Sequence, residues 1–210
     1  MARPPRIGVL AVQGAVAEHE LALAAVGATP VRVRDEGGLA GLDGLVIPGG
    51  ETTTLRRVAG DSGLIDALRA ARRADLPILG TCAGLIALAD DIVDGDPTLV
   101  GGLDISVRRN GYGRQVASFE TELTVEGIGA GPVAAIFIRA PVIVRVGDGV
   151  RVHATLHGHA VAVSDGPLMG LSFHPELTPD RRFHEWLVGR ARAFAQRSPE
   201  QTKEGLGVGA

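Results

Sequence analysis

The sequence predicts an α/β fold: a mostly parallel central sheet flanked by helices, with antiparallel additions in the C-terminal half. Three observations carry this. Short, wholly apolar runs alternate with helical runs through the first half, the pattern of βαβ units whose strands are buried on both faces. After Asp90 the texture changes to closely spaced strand candidates without long helices between them. A last amphipathic run then reads as a terminal helix.

The elements follow in order. Ile7 to Val12 is a continuous apolar run broken by Gln13-Gly14, and it reads as a buried strand. Ala15 to Val26 is an alanine-rich helix closed by Gly27. Val31 to Arg34 alternates and suggests an edge strand. Leu45-Val46-Ile47 is a second buried strand, ended by Pro48-Gly49-Gly50. Thr52 to Thr54 supply N-cap chemistry for a short helix through Val58. A longer helix follows, with Leu64, Ile65, Leu68 and Ala71 on one face and Asp66, Arg69, Arg72 and Arg73 on the other.

Leu76 to Leu79 then stops at Gly80, and a helical run begins at Gly84, so Cys82 sits at the apex of a Gly-x-Cys-x-Gly frame. Beyond it, 103–108, 118–125, 133–138, 142–146, 151–156, 159–163 and 168–173 are short strand candidates, expected to extend the same sheet. Asp165-Gly166 is hairpin-type punctuation. The last helix runs from Pro179-Asp180 through about Ala195, with Phe183, Trp186, Leu187 and Ala191 inward. One domain over residues 1–197 is expected, with a polar, glycine-rich, disordered tail over 198–210.

Composition narrows the function. The net charge is -3 and aromatic residues are only 3% of the chain, so the basic surface and stacking platforms of a nucleic-acid binder are not expected. The single cysteine permits no internal disulfide and fits a reducing compartment. No run reaches the length of a membrane span, and the N-terminal apolar run is too short for a signal sequence. The expected protein is cytoplasmic, with no membrane partner.

The chemistry is expected at the carboxyl ends of strands, where functional groups gather in such sheets. Strand, tight turn and helix around Cys82 make the geometry of a nucleophile elbow. Its glycines let strand and helix backbones approach closely, and a helix start favours thiolate. The same residues also permit a plainer reading, a small buried hydrophobe. His174-Pro175-Glu176, after Leu171-Ser172-Phe173, supplies a base and a group to orient it. Gly49-Gly50 offers a backbone N–H that could join that of Ala83 in an oxyanion hole. Alone, His174 could simply end a strand and Gly49-Gly50 could be only a turn; together at three strand ends they point to one site.

Several runs carry a resemblance: Leu10 to Ala15, Pro48 to Thr54, Gly80 to Leu85, Arg109-Asn110, Gly113-Arg114-Gln115, Phe137 to Pro141 and Phe173 to Thr178. The chain resembles the glutaminase subunits of bacterial pyridoxal 5'-phosphate synthase, within the class I, triad-type glutamine amidotransferases, from about Ile7 to the last helix. The resemblance implies a flavodoxin-like amidotransferase fold and hydrolysis of L-glutamine to L-glutamate and ammonia. Cys82 would be the nucleophile, His174 the proton carrier and Glu176 its orienter, with Gly50 and Ala83 as oxyanion donors. Glutamine contacts carry over to Gly50, Glu51, Thr52, Arg109, Ile138 and Arg139. No cofactor and no metal are implied. The partner implied is a separate synthase subunit that builds the pyridoxal ring, and the first helix with Gln13-Gly14 and Glu18 is where it is expected to dock. Thr52 stands where serine is common, and Gly111-Tyr112 where a Ser-Phe pair is common; the latter is expected to loosen the loop after Arg109.

Other readings stand beside this one. The chain could serve another acceptor, such as imidazole-glycerol phosphate synthase, or be a catalytically silent regulatory subunit. His153, His157 and His159 could bind a metal if His157 and His159 share a strand face, although ordinary strand or loop histidines are the simpler expectation. His19 and His184, on helices, are expected to be solvated, and Arg181-Arg182 to be an exposed basic pair.

Overall fold

A computed structural model describes residues 3–50, 55–57, 63–109, 111 and 118–197. The chain runs through β1 (Arg6–Leu10), α1 (Val16–Ala25), β2 (Thr29–Val33), β3 (Gly44–Ile47), α2 (Leu64–Arg73) and β4 (Ile78–Thr81). Next come α3 (Ala83–Leu88), β5 (Ala89–Ile92), β6 (Leu103–Arg108), β7 (Ser118–Leu123), β8 (Val133–Ile138) and β9 (Val142–Val146). The series closes with β10 (Arg151–Leu156), β11 (His159–Asp165), β12 (Leu168–Leu171), a 3-10 turn over Pro175–Leu177, and α4 (Arg182–Gln196).

Seven strands form the central sheet in the order β10-β11-β12-β4-β3-β1-β2. The five from β12 to β2 are mutually parallel, and β10 and β11 join antiparallel. β3 and β4 are buried at every position, as continuous apolar runs require when both faces of a sheet are covered. β2 stands at an edge, as its alternation predicts. Because β1, β3, β4 and β12 run the same way, their carboxyl ends open on one side of the sheet.

The C-terminal half departs from the single sheet expected. β5, β6 and β9 make a separate three-stranded sheet, and β7 and β8 a separate hairpin ladder. β5 begins at Ala89 immediately after the six-residue α3, so the helix after the elbow is shorter than its apolar content suggests. Four of the five phenylalanines join the β7–β8 ladder to the rest of the core. Phe119 stacks on Phe137 at 4.7 Å, Phe137 meets Phe173 at 5.6 Å, and Phe173 meets Phe183 of α4 at 5.4 Å. That chain holds the end of β8 beside the carboxyl ends of the central strands.

α2 buries Leu64, Leu68 and Ala71, as its one-sided pattern predicts. α1 and α4 pack on each other and bury a histidine each, His19 and His184, with no exposed surface. This corrects the expectation that both are solvated. Arg182 is no exposed basic residue either: its guanidinium binds Asp180 and the carbonyls of Ala130, Gly131 and Pro132. Arg181 donates to the carbonyl of Thr178. The pair therefore ties the start of α4 to neighbouring loops. Thr52 to Thr54 and the tail over 198–210 lie outside the described residues, while 55–57 are helical. No helix among the described residues is long and apolar enough to cross a membrane.

Candidate active site

Cys82 occupies the turn between β4 and α3 with φ 50° and ψ -101°, a backbone conformation that non-glycine residues adopt only where the surroundings impose it. The flanking glycines make the turn possible. A Cβ on Gly84 would lie 1.9 Å from the carbonyl oxygen of Ile47, and one on Gly80 would lie 2.6 Å from the backbone of Gly84. The elbow therefore packs backbone against backbone, with the thiol at its apex and only 7% of the residue exposed.

β12 delivers the second group. It pairs with β4 so that Leu171 lies opposite Thr81, and the Cys82 N–H donates to the carbonyl of Leu171 at 2.8 Å. Three residues on, His174 turns back toward the thiol, its own N–H bonded to the carbonyl of Ile136 at 2.9 Å. Its Nδ1 lies 2.8 Å from Oε1 of Glu176, and Pro175 starts the 3-10 turn that fixes this separation. Burial pushes the His174 imidazolium down, but hydrogen bonds to Cys82 and Glu176 outweigh it and raise the group to about 10. Burial likewise pushes the Glu176 carboxyl up, and the hydrogen bond to His174 together with the nearby His19 ring reverses this, holding it well below the usual carboxylate range. Acid and base are thus arranged as an imidazolium braced by a buried carboxylate.

Gly49 closes the site from β3. A Cβ there would stand 2.3 Å from Cε1 of His174 and 3.2 Å from Cβ of Cys82. Its N–H donates to Oγ1 of Thr81 at 3.0 Å, so that donor anchors the loop instead of facing the thiol. Gly50 follows with φ 154°, and a Cβ on it would meet the side-chain amide of Gln13 at 2.5 Å. β8 contributes Ile138, whose carbonyl oxygen lies 3.8 Å from the sulfur of Cys82, and Arg139 with φ 46° at the strand's end.

The structure therefore brings Cys82, His174, Glu176, Gly49 and Ile138 together. Arg109 has other partners: its guanidinium pairs with Asp96 at 2.6 Å and with Asp94 at 3.6 Å. Glu51 and Thr52 lie outside the described residues, as do Asn110, Tyr112 and Gly113 to Gln115. Of the Gly111-Tyr112 pair, only Gly111 lies among the described residues. Its N–H donates to the carbonyl of Ala140 at 3.2 Å, and a Cβ on it would lie 2.4 Å from a methyl of Val142.

Residues 9–193 match the SNO glutamine amidotransferase family. The chain belongs to that family. Glutamine hydrolysis is accordingly its chemistry. A protein named pyridoxal 5'-phosphate synthase subunit PdxT from Parafrankia sp. (strain EAN1pec) is 53% identical over 191 residues, covering 90% of this chain and 94% of its own. One of the same name from Nocardia farcinica is 49% identical, covering 92% of this chain and 89% of its own. A crystal structure of a glutamine amidotransferase superposes with TM-score 0.83 at 44% identity, over 89% of this chain and 98% of that one. A chain of PurLQS from Thermotoga maritima, 15% identical, shares the fold with TM-score 0.64 over 97% of each chain.

The site also contains residues that sequence reasoning missed. Nδ1 of His19 lies 3.0 Å from Nε2 of His184, and Nε2 of His19 lies 3.3 Å from Oγ1 of Thr81 and 3.4 Å from Oε2 of Glu176. The signal was available as spacing: His19 falls on the stripe with Ala22 and Leu23 that α1 buries, and His184 on the stripe with Leu187, Val188 and Ala191. The histidine trio behaves otherwise. His157 occupies the turn between β10 and β11 with φ 50°, so it does not share a strand face with His159. His153 binds the Glu126 carbonyl and the Ser164 hydroxyl through its two ring nitrogens, each at 2.7 Å. Among the described residues no cluster of three His, Cys, Asp or Glu is placed to hold a metal.

Proposed function

We propose that the chain is the glutaminase subunit of a pyridoxal 5'-phosphate synthase, cytoplasmic, and that Cys82, His174 and Glu176 perform its reaction. The Cys82 sulfur attacks the side-chain amide carbon of glutamine. Gly50 and Ala83 N–H groups steady the oxyanion of the tetrahedral intermediate, a role commonly worth about a hundred- to a thousandfold in rate per donor. The His174 imidazolium then protonates the departing nitrogen, ammonia leaves, and a glutamyl thioester remains. Water, deprotonated by the now neutral His174, attacks the thioester, releasing glutamate and restoring the Cys82 thiolate beside the His174 imidazolium from which the attack began. Glu176 holds the imidazole in the tautomer this cycle needs and stabilises its charged form.

The observation that carries the reading is the geometry around His174, whose Nδ1 lies 2.8 Å from the buried Glu176 carboxylate and whose hydrogen bonds to Cys82 and Glu176 raise it to about 10. A leaving amine needs such an acid in place before it departs. Arg109 remains the clamp proposed for the substrate carboxylate, with Glu51, Thr52, Ile138 and Arg139 around the rest of the glutamine. Engaging it requires glutamine to compete with Asp94 and Asp96. The acceptor reading rests on relatives at about half identity whose printed name is a subunit of pyridoxal 5'-phosphate synthase. Ammonia would pass to the synthase subunit docked on this chain.

The test is glutamate release from glutamine by the purified chain together with a synthase subunit. Wild type is expected to turn over and Cys82→Ala to fall to background. A Cys82→Ala protein as fast as wild type would overturn the assignment of the nucleophile.

A further inference from the structure

The site contains one more built feature behind Glu176. Its Oε2 is fully buried and makes no regular hydrogen bond among the described residues, and its nearest polar neighbour from α1 is Nε2 of His19 at 3.4 Å. Nδ1 of His184 is likewise buried without a partner. These two atoms decide between the possible tautomers. If His19 carried its proton on Nδ1, it would donate to Nε2 of His184; the proton of a neutral His184 would then sit on Nδ1 as an orphaned buried N–H, and Oε2 would have no donor at all. Both faults vanish in the opposite arrangement. His184 then donates from Nε2 to Nδ1 of His19, and the Nε2–H of His19 points at the carboxylate and at Thr81. The atom left unpaired on His184 is a lone pair, which costs less to bury than an N–H.

We infer that His19 is a positioning residue of the glutaminase site: its Nε2–H holds the second oxygen of Glu176, and His184 fixes the tautomer that makes this possible. The inference rests on the reading of Cys82, His174 and Glu176 given above. Glu176 is reached by His174 from its own 3-10 turn and by His19 from α1. His184 and Arg181 act from the α4 side, and Thr81 Oγ1 from β4. Without His19 the carboxylate keeps one bonded oxygen, at Oε1, and gains freedom to rotate away from Nδ1 of His174. The same Thr81 hydroxyl also anchors the Gly49 loop, so the relay joins the acid to the loop that lies against it.

The experiment compares His19→Leu, His19→Gln and Cys82→Ala with wild type, each assayed with the synthase subunit. Histidine 15N NMR is recorded on the folded wild-type chain. His19→Leu should lower kcat about ten- to a hundredfold, the scale of a lost hydrogen bond to a charged group, with KM nearly unchanged. His19→Gln, whose amide can donate from near the Nε2 position, should recover most of that loss. The 15N shifts of His19 should show Nε2 protonated and Nδ1 bare. Equal losses in the Leu and Gln variants, a wild-type kcat in His19→Leu, or a proton on Nδ1 would each overturn the inference. A fully active Cys82→Ala would instead remove the reading of the site on which it rests, and the NMR result stands apart from turnover altogether.

Discussion

A methyl group on Gly49 would collide with the imidazole of His174 and crowd the Cβ of Cys82 at once. One on Gly84 would instead strike the backbone oxygen of Ile47, which cannot swing aside. The two glycines therefore fail differently. Gly49→Ala moves a side chain that does chemistry, and displacing a reacting group by an ångström costs about a hundredfold. Its kcat should fall at least that far, with a modest loss of thermal stability. Gly84→Ala overpacks the elbow against a strand and should destabilise by about 1–3 kcal/mol or more. Steady-state glutamate release and thermal unfolding of both variants separate the two effects. A wild-type kcat in Gly49→Ala would refute the tight contact with His174. The frame of glycines around Cys82 was legible because close backbone approach has a residue signature. The histidine behind Glu176 was missed, because its one signal was its spacing from Ala22 and Leu23 on a helix whose alanines mark the buried face only weakly.

At the scale of elements, the buried pair between α1 and α4 has a pH signature. Burial first, and the neighbouring His19 ring second, lower His184 to about 3. A group depressed in the fold is neutral there yet takes up a proton in the unfolded chain below its ordinary value of 6.5. Stability is therefore lost as pH falls from 6.5 toward 3. From pH 7 to pH 5 this single site should cost about 2 kcal/mol. His174, raised to about 10, acts oppositely: its contribution is complete below 6.5 and declines as pH rises toward 10. His184→Gln keeps a donor toward His19 and removes the titration, leaving His174 as it was. Chemical unfolding at pH 7 and pH 5 should show the variant losing about 2 kcal/mol less than wild type between the two, and equal losses would place the acid sensitivity elsewhere. The amphipathic α2 was readable from sequence because its charged face is clearly set apart. α1 was not, because alanine lines much of its surface and gives neither face away. The separate β5–β6–β9 sheet escaped for a related reason: short strands show their own pattern but not which sheet they join.

At the scale of the whole molecule, the carboxyl ends of β1, β3, β4 and β12 gather the elbow, the Gly49 loop and His174 on one side. The turn after β1 joins them, since Gly50 packs on the side-chain amide of Gln13 and Gly14 lies against the carbonyl of Gly49. α1 begins directly after that turn, so one face of the chain presents both the helix and the loop that borders the thiol. On α1, Leu21 is 70% exposed and Glu18 is exposed beside it, while His19, Ala22 and Leu23 face inward. A synthase subunit seated there could bias the Gly49-Gly50 loop through Gln13-Gly14, which links docking to glutamine hydrolysis. Reversing the charge at Glu18 and burying a cation against the partner at Leu21 test this together. Glu18→Arg with Leu21→Arg should weaken association at least about tenfold, the scale of one lost contact worth about 1.4 kcal/mol. Turnover at saturating partner should be restored, because neither residue touches the thiol, His174 or Glu176. Titration of glutamate release against synthase subunit measures both quantities, and an unchanged midpoint would move the docking face off α1.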